Sequence, residues 1–223
     1  MSTIQRQTID PCENFAGLCA VLVGIGGFLY AVAFIILVIG GRSPELGVLL
    51  SSLFLMLIGL LSIAVLVAIY NRVRETDATF ALLALLLGVA GAVGSAVHGG
   101  YDLANATDPP ASVPADLPSQ IDPRGLLTFA VSGIALFIIA GLIWKGKQFP
   151  IGLAYLGGVS AILLIVLYLG RLIVLAPTNP VVLVPALLNG FLINPAWYIW
   201  LGVALWVTRG HEETRIADVR QLT

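Results

Sequence analysis

Six long apolar runs divide the chain, at 15–39, 46–70, 78–101, 125–144, 151–175 and 181–207. Each reaches the roughly 20 residues that, at about 1.5 Å per residue, cross the hydrocarbon of a bilayer as a helix. Polar clusters separate them: GGRSPE after the first, NRVRETD after the second, and a short hinge at each later junction but one. The exception lies between residues 102 and 124 and contains NATDPPASVPADLPSQIDPR, rich in Pro, Asp and Ser. Such residues favour turns and loops over helix, so this stretch reads as a long loop outside the bilayer. The pattern predicts an all-α fold, a single integral membrane domain over residues 1–223 built as a six-helix transmembrane bundle. The first run is longer than the roughly 7–15 residues of a signal h-region and no A-x-A-like site follows it, so it reads as a retained helix.

Composition supports this reading. The chain is 59% hydrophobic and 10% charged, with mean hydropathy +1.01, whereas a soluble domain carries roughly a quarter charged residues. A net charge of -1 leaves no basic face for nucleic acid. With six spans, Arg6, Arg72, Arg74, Lys145, Lys147, Arg209, Arg215 and Arg220 share one side, against Arg42, Arg124 and Arg171 on the other. The positive-inside rule then puts both termini in the cytoplasm and the long loop outside. Asp102, Asp108, Asp116 and Asp122 make that outer surface acidic. The two cysteines, Cys12 and Cys19, stand about 10 Å apart along a helix, too far to bridge each other.

The third span carries the clearest internal pattern. Gly88, Gly91, Gly94 or Ser95, and His98 recur at steps of three or four, a face on which a neighbouring backbone approaches closely. The face runs into HGGYDLAN, where His98, Tyr101, Asp102 and Asn105 fall at i, i+3, i+4 and i+7. On the fourth span Arg124, Thr128 and Ser132 repeat at i, i+4 and i+8, with Asp122 as N-cap and Pro123 at the first helical position. Arg171 sits near the outer end of the fifth span, where an arginine is costly unless paired or snorkelling; Asp102 and Asp122 are its candidate partners. Pro185 and Pro195 interrupt the sixth span near Asn189 and Asn194, and such breaks often border a cavity. Trp197 is too deep for an interface belt and reads as packing, while Trp206 fits the belt.

These elements bring polar groups to one level near the outside. The candidate ligand site is an outward-facing polar pocket of His98, Tyr101, Asp102, Arg124, Arg171 and Asn189, with a fold-stabilising polar network as the competing reading. One histidine and scattered aspartates lack metal-ligand spacing, and the sequence calls for no cofactor. No span carries a central carboxylate for an ion-coupled relay, and none carries a ladder of basic residues for voltage sensing.

The pieces HGGYDLAN, LPSQIDPRGLLTF and NPAWYIWLG together resemble bacterial multi-span membrane proteins classed as domains of unknown function. The resemblance implies a six-helix bundle in a bacterial inner membrane and carries over no activity and no functional residue. The expected function is therefore a non-enzymatic membrane protein that binds a small molecule or lipid in the outer pocket, with transport left open. An accessory subunit of a membrane complex, assembling through small-residue faces with other membrane proteins, is the first alternative. A membrane enzyme using His98 and Asp102 is the second.

Overall fold

The computed structural model describes residues 11–108, 125–174, 176 and 178–206. All regular structure in them is helical, in six helices long and apolar enough to cross a membrane. They are α1 (Cys12–Ile39), α2 (Pro44–Val73), α3 (Ala78–Thr107), α4 (Leu126–Gly146), α5 (Ile151–Val174) and α6 (Pro180–Trp206). The expected spans are matched, with one informative difference. α3 continues past the expected end at residue 101 to Thr107, so the first residues assigned to the long loop are helical, in keeping with the helical spacing of HGGYDLAN. At its end Thr107 Oγ1 bonds back to its own helix, meeting the carbonyls of Leu103 and Ala104 at 3.0 Å each. Asp116, Asp122, Pro123 and Arg124, with the expected helix start before α4, lie outside the described residues.

Caps set the other starts. Asp77 accepts from the backbone N–H of Thr79 and Phe80, both at 3.1 Å, and begins α3. Asn179 does the same for α6 through the N–H of Val181 at 3.0 Å, with Pro180 at the first position. Pro44 opens α2, and Lys147 in the left-handed region, φ 58°, ends α4. Large apolar side chains such as Leu22, Leu60, Leu86, Phe137, Ile162 and Leu192 are exposed along the outside of all six helices. That exterior suits hydrocarbon rather than water, and the chain has the build of a multi-pass membrane protein.

The helices form a ring in chain order, each packed on the next, with α1 closing against α6. One end gathers the starts of α1, α3 and α5 and the ends of α2, α4 and α6; we call it the terminal end. The other, from which α3 leaves and α4 returns, is the connection end. Close approach is made by small residues. A Cβ on Gly59 would fall within 3.0 Å of the Ala92 carbonyl and the Ala96 backbone, and one on Gly99 against the backbone of Ser52 and Met56. The small face of α3 is thus turned inward, as its spacing predicts, and seats α2 on one side and α4, at Gly91 and Gly94, on the other.

The core is solid toward the terminal end. Ile69, Val73, Ile143, Leu153, Leu201 and Leu205 are fully buried there. Cys19 is buried beside them, Cys12 is exposed, and no disulfide joins the two. Trp197 is 2% exposed and donates through Nε1 to the Leu153 carbonyl at 2.9 Å. It therefore lies inside the protein and does not face lipid; besides packing in the core it lines a cavity.

Candidate functional site

The connection half is built differently. Three of its helices leave α geometry for π turns: Val32–Ile39 in α1, Leu126–Val131 in α4 and Asn189–Ile193 in α6. A π turn inserts an extra residue per turn and marks functional sites more often than ordinary helix does. The turn in α6 lies between Pro185 and Pro195, neither of which has an N–H to donate. The backbone break that the two prolines imply is thus present, and it takes this form.

All three π segments line one cavity inside the ring. It has a volume of about 230 Å³ and receives side chains from all six helices. On α1 the lining runs from Ile39 down to Val23, a depth of roughly 20 Å at helical rise. Its walls are mainly apolar, with Tyr30, Phe34, Leu66, Phe129, Leu167 and Trp197 among them. The polar groups that reach it are Ser62, Ser95, Thr128, Ser132, Asn189, Asn194, Tyr198 and Arg171. Several hydroxyls are already occupied: Ser62 Oγ donates to the Ile58 carbonyl at 2.7 Å and Ser95 Oγ to the Gly91 carbonyl at 3.0 Å. Asn189, 5% exposed, accepts from Ser160 Oγ at 2.8 Å.

Arg171 is the only charged residue in the described lining. Its guanidinium carbon lies 5.6 Å from the centre of the Phe129 ring, a cation–π contact. Among the described residues no carboxylate pairs with it; Asp102, one of its two candidate partners, pairs instead with His98, at 3.3 Å from Oδ2 to Nε2. Tyr30 lines the same cavity.

Five of the six expected site residues are described, and they take different places. Arg171 and Asn189 line the cavity. His98 stands one layer back, its Nδ1 3.4 Å from the hydroxyl of the cavity-lining Thr128. Asp102 is joined to His98, and neither is in the lining. Tyr101 is 57% exposed on the outside of α3. Arg124 lies outside the described residues. His98 and Arg171 approach the same π segment of α4 from two sides, through Thr128 and Phe129. The sequence reading missed the apolar lining, which is most of the cavity, and the deep polar groups Ser62 and Tyr198.

Comparison of the chain with protein-family models, curated proteins and solved structures finds no match. The case for a site rests on geometry.

Proposed function

We propose that this is a multi-pass membrane protein that binds a small molecule or lipid inside its helix ring, on the Arg171 side, with the termini in the cytoplasm of a bacterial cell and the 102–124 stretch outside. The observation that carries the reading is the cavity itself. An apolar cavity of about 150 Å³ is enough to hold benzene, and this one, at about 230 Å³, adds an arginine and two asparagines to apolar walls. Apolar walls with a few convergent polar groups are the usual build of a ligand site.

Two observations favour this over the alternatives. The small-residue faces are spent on packing within the ring, at Gly59, Gly91 and Gly99, while the outside is covered by larger apolar side chains; lateral assembly as an accessory subunit has less to work with. The His98–Asp102 pair sits behind Thr128 rather than in the cavity, so a molecule held in the cavity does not meet it.

The test is thermal unfolding of the purified protein against a panel of acidic, basic and neutral amphiphiles, with Ala186→Trp, a lining residue, as the filled-cavity variant. Members that raise the unfolding temperature of the native protein but not of the variant support the reading. A panel in which no member stabilises the native protein, or stabilises both equally, sinks it.

A further inference from the structure

The ring is not closed equally along its height. In the terminal half α1 and α6 interlock: a Cβ on Gly24 would meet the Pro195 carbonyl and Ile199, and Gly202 seats the backbone of Gly17. Higher up, Ala31 lies against Gly190 and Phe28 and Phe191 form an edge-on ring pair, centroids 5.6 Å apart. Above that level Pro180–Leu188 packs on α5, and no comparable packing joins it to the π segment Val32–Ile39 of α1. Both segments nonetheless line the cavity, through Ile35, Ile39, Leu183 and Ala186. Among the described residues the connection half thus has a seam between α1 and α6 with the cavity behind it and an apolar exterior on either side, at Ile36 and Val184.

We propose, resting on the cavity as a ligand site, that it takes a single-chain acidic amphiphile from the bilayer through the α1–α6 seam. The acidic head, a carboxylate or a phosphate monoester, pairs with Arg171, and the chain runs down toward Trp197. Three features select this class. The cavity is long and narrow, about 230 Å³ over roughly 20 Å, which fits a chain better than a compact ring system. Its one described charge is a cation with an aromatic ring below it and no carboxylate partner; guanidinium binds carboxylate and phosphate through paired hydrogen bonds. A cation kept at membrane depth without a partner is costly, and an anionic ligand removes that cost on binding. The seam gives a route that never exposes the chain to water.

The probe is dibromostearate, a bromine-bearing acid that quenches tryptophan on contact, added to protein in neutral-lipid nanodiscs. The reporter is Trp197 in a Trp144→Phe/Trp200→Phe/Trp206→Phe protein; at 2% exposure it is shielded from quencher dissolved in the bilayer. Native mass spectrometry of the unsubstituted protein reads the same occupancy without relying on that variant. We expect the acid to quench and its methyl ester to bind at least about tenfold more weakly. Arg171→Leu should lose about tenfold or more in affinity for the acid, with Arg171→Lys in between. Displacement by hexadecyl phosphate more readily than by stearate identifies a phosphate head, and the reverse a carboxylate; either supports the proposal. Equal binding of acid and ester, or an unchanged Arg171→Leu, overturns the head-group assignment. For the route, Ile35→Cys and Leu183→Cys are joined by a reducible linker in a Cys12→Ser background. The link should slow quenching about tenfold or more, with recovery on reduction; an unchanged rate overturns entry through the seam. If neither amphiphile binds while another small molecule still stabilises the protein, this inference fails and the ligand site stands. If nothing binds, both fail.

Discussion

At the terminal end Arg72 is engaged by a carboxylate, whereas at the connection end Arg171 has an aromatic ring beside it and no carboxylate among the described residues. Arg72 reaches Glu13 through two hydrogen bonds, Nη2–Oε2 at 2.9 Å and Nε–Oε1 at 3.1 Å. It also approaches the Leu205 carbonyl at 3.5 Å, and its guanidinium lies 5.5 Å from the Phe149 ring centre. One side chain on α2 thereby ties α1, α6 and the α4–α5 turn. Trp206 Nε1 donating to the Asn14 carbonyl at 3.3 Å and Gln148 Nε2 to Thr76 Oγ1 at 2.8 Å add two further ties at the same end. The two arginines differ in their surroundings rather than their chemistry. A cation whose hydrogen bonds are met inside the protein holds helices together; one left facing a cavity is poised to hold something else.

The comparison would break first if the connection half were merely loose. Gly99 and Gly100 are neighbours there, and they differ sharply in surroundings. A Cβ on Gly99 runs into the backbone of α2, while one on Gly100 finds only the Met56 sulfur at 3.8 Å. Gly99→Ala should cost about 3 kcal/mol, the upper range for overpacking where backbone cannot yield, and Gly100→Ala close to nothing. Reversible unfolding in mixed micelles reads both. Equal, small effects would show that the α2–α3 seam is soft and that the cavity is one gap among several.

The second test compares the arginines themselves. Arg72→Met removes two charge-assisted hydrogen bonds and leaves Glu13, 22% exposed, without its partner; the expected loss is about 2 kcal/mol. Arg171→Met gives up the Phe129 contact but also the cost of a cation at membrane depth, and no ion pair is lost among the described residues, so the unfolding free energy should stay nearly unchanged. If Arg171→Met proves the more damaging, the cation is structural and the site reading weakens. Next in size is Trp197→Phe, which keeps a ring beside Tyr198 but removes the hydrogen bond to the Leu153 carbonyl, an oxygen that keeps its partner within α5, at about 1 kcal/mol. The same unfolding assay measures it.

Much of the architecture was legible in the chain because its signals are one-dimensional. Span length, the charge gaps, the small-residue period of α3 and the two prolines of α6 are local patterns, and each has its counterpart in the fold. Arg171 and Asn189 could be placed at one level by counting rise along their helices. Depth around the helix axis is another matter. Tyr101 shares a stripe with His98 and Asp102 in sequence, yet it is 57% exposed on the outside, because which side of α3 meets α2 and α4 is decided by Gly88, Gly91 and Gly99 together. The π turns carry no residue code of their own, so the cavity they border could be inferred only at Pro185 and Pro195. Arg72, read from the sequence as one of eight topological charges, turned out to be the tie of the terminal end, since its partner Glu13 lies 59 residues away.

The smallest effect falls on the His98–Asp102 pair, beside the cavity but outside its lining. The two are an i,i+4 pair on α3 with Asp102's side chain 37% exposed, a setting in which such pairs contribute only about 0.3–0.5 kcal/mol. Asp102→Asn keeps the shape and removes the charge, so its cost should stay under about 0.5 kcal/mol, measured by the same unfolding assay. Its effect on dibromostearate binding should be small as well, because Thr128 stands between the pair and the cavity. A loss of folding near that of Arg72→Met would mean that the pair, through Thr128, holds the π segment of α4 in place. The polar groups of HGGYDLAN would then serve the connection end as Arg72 serves the terminal end, and only Arg171 would remain for a ligand.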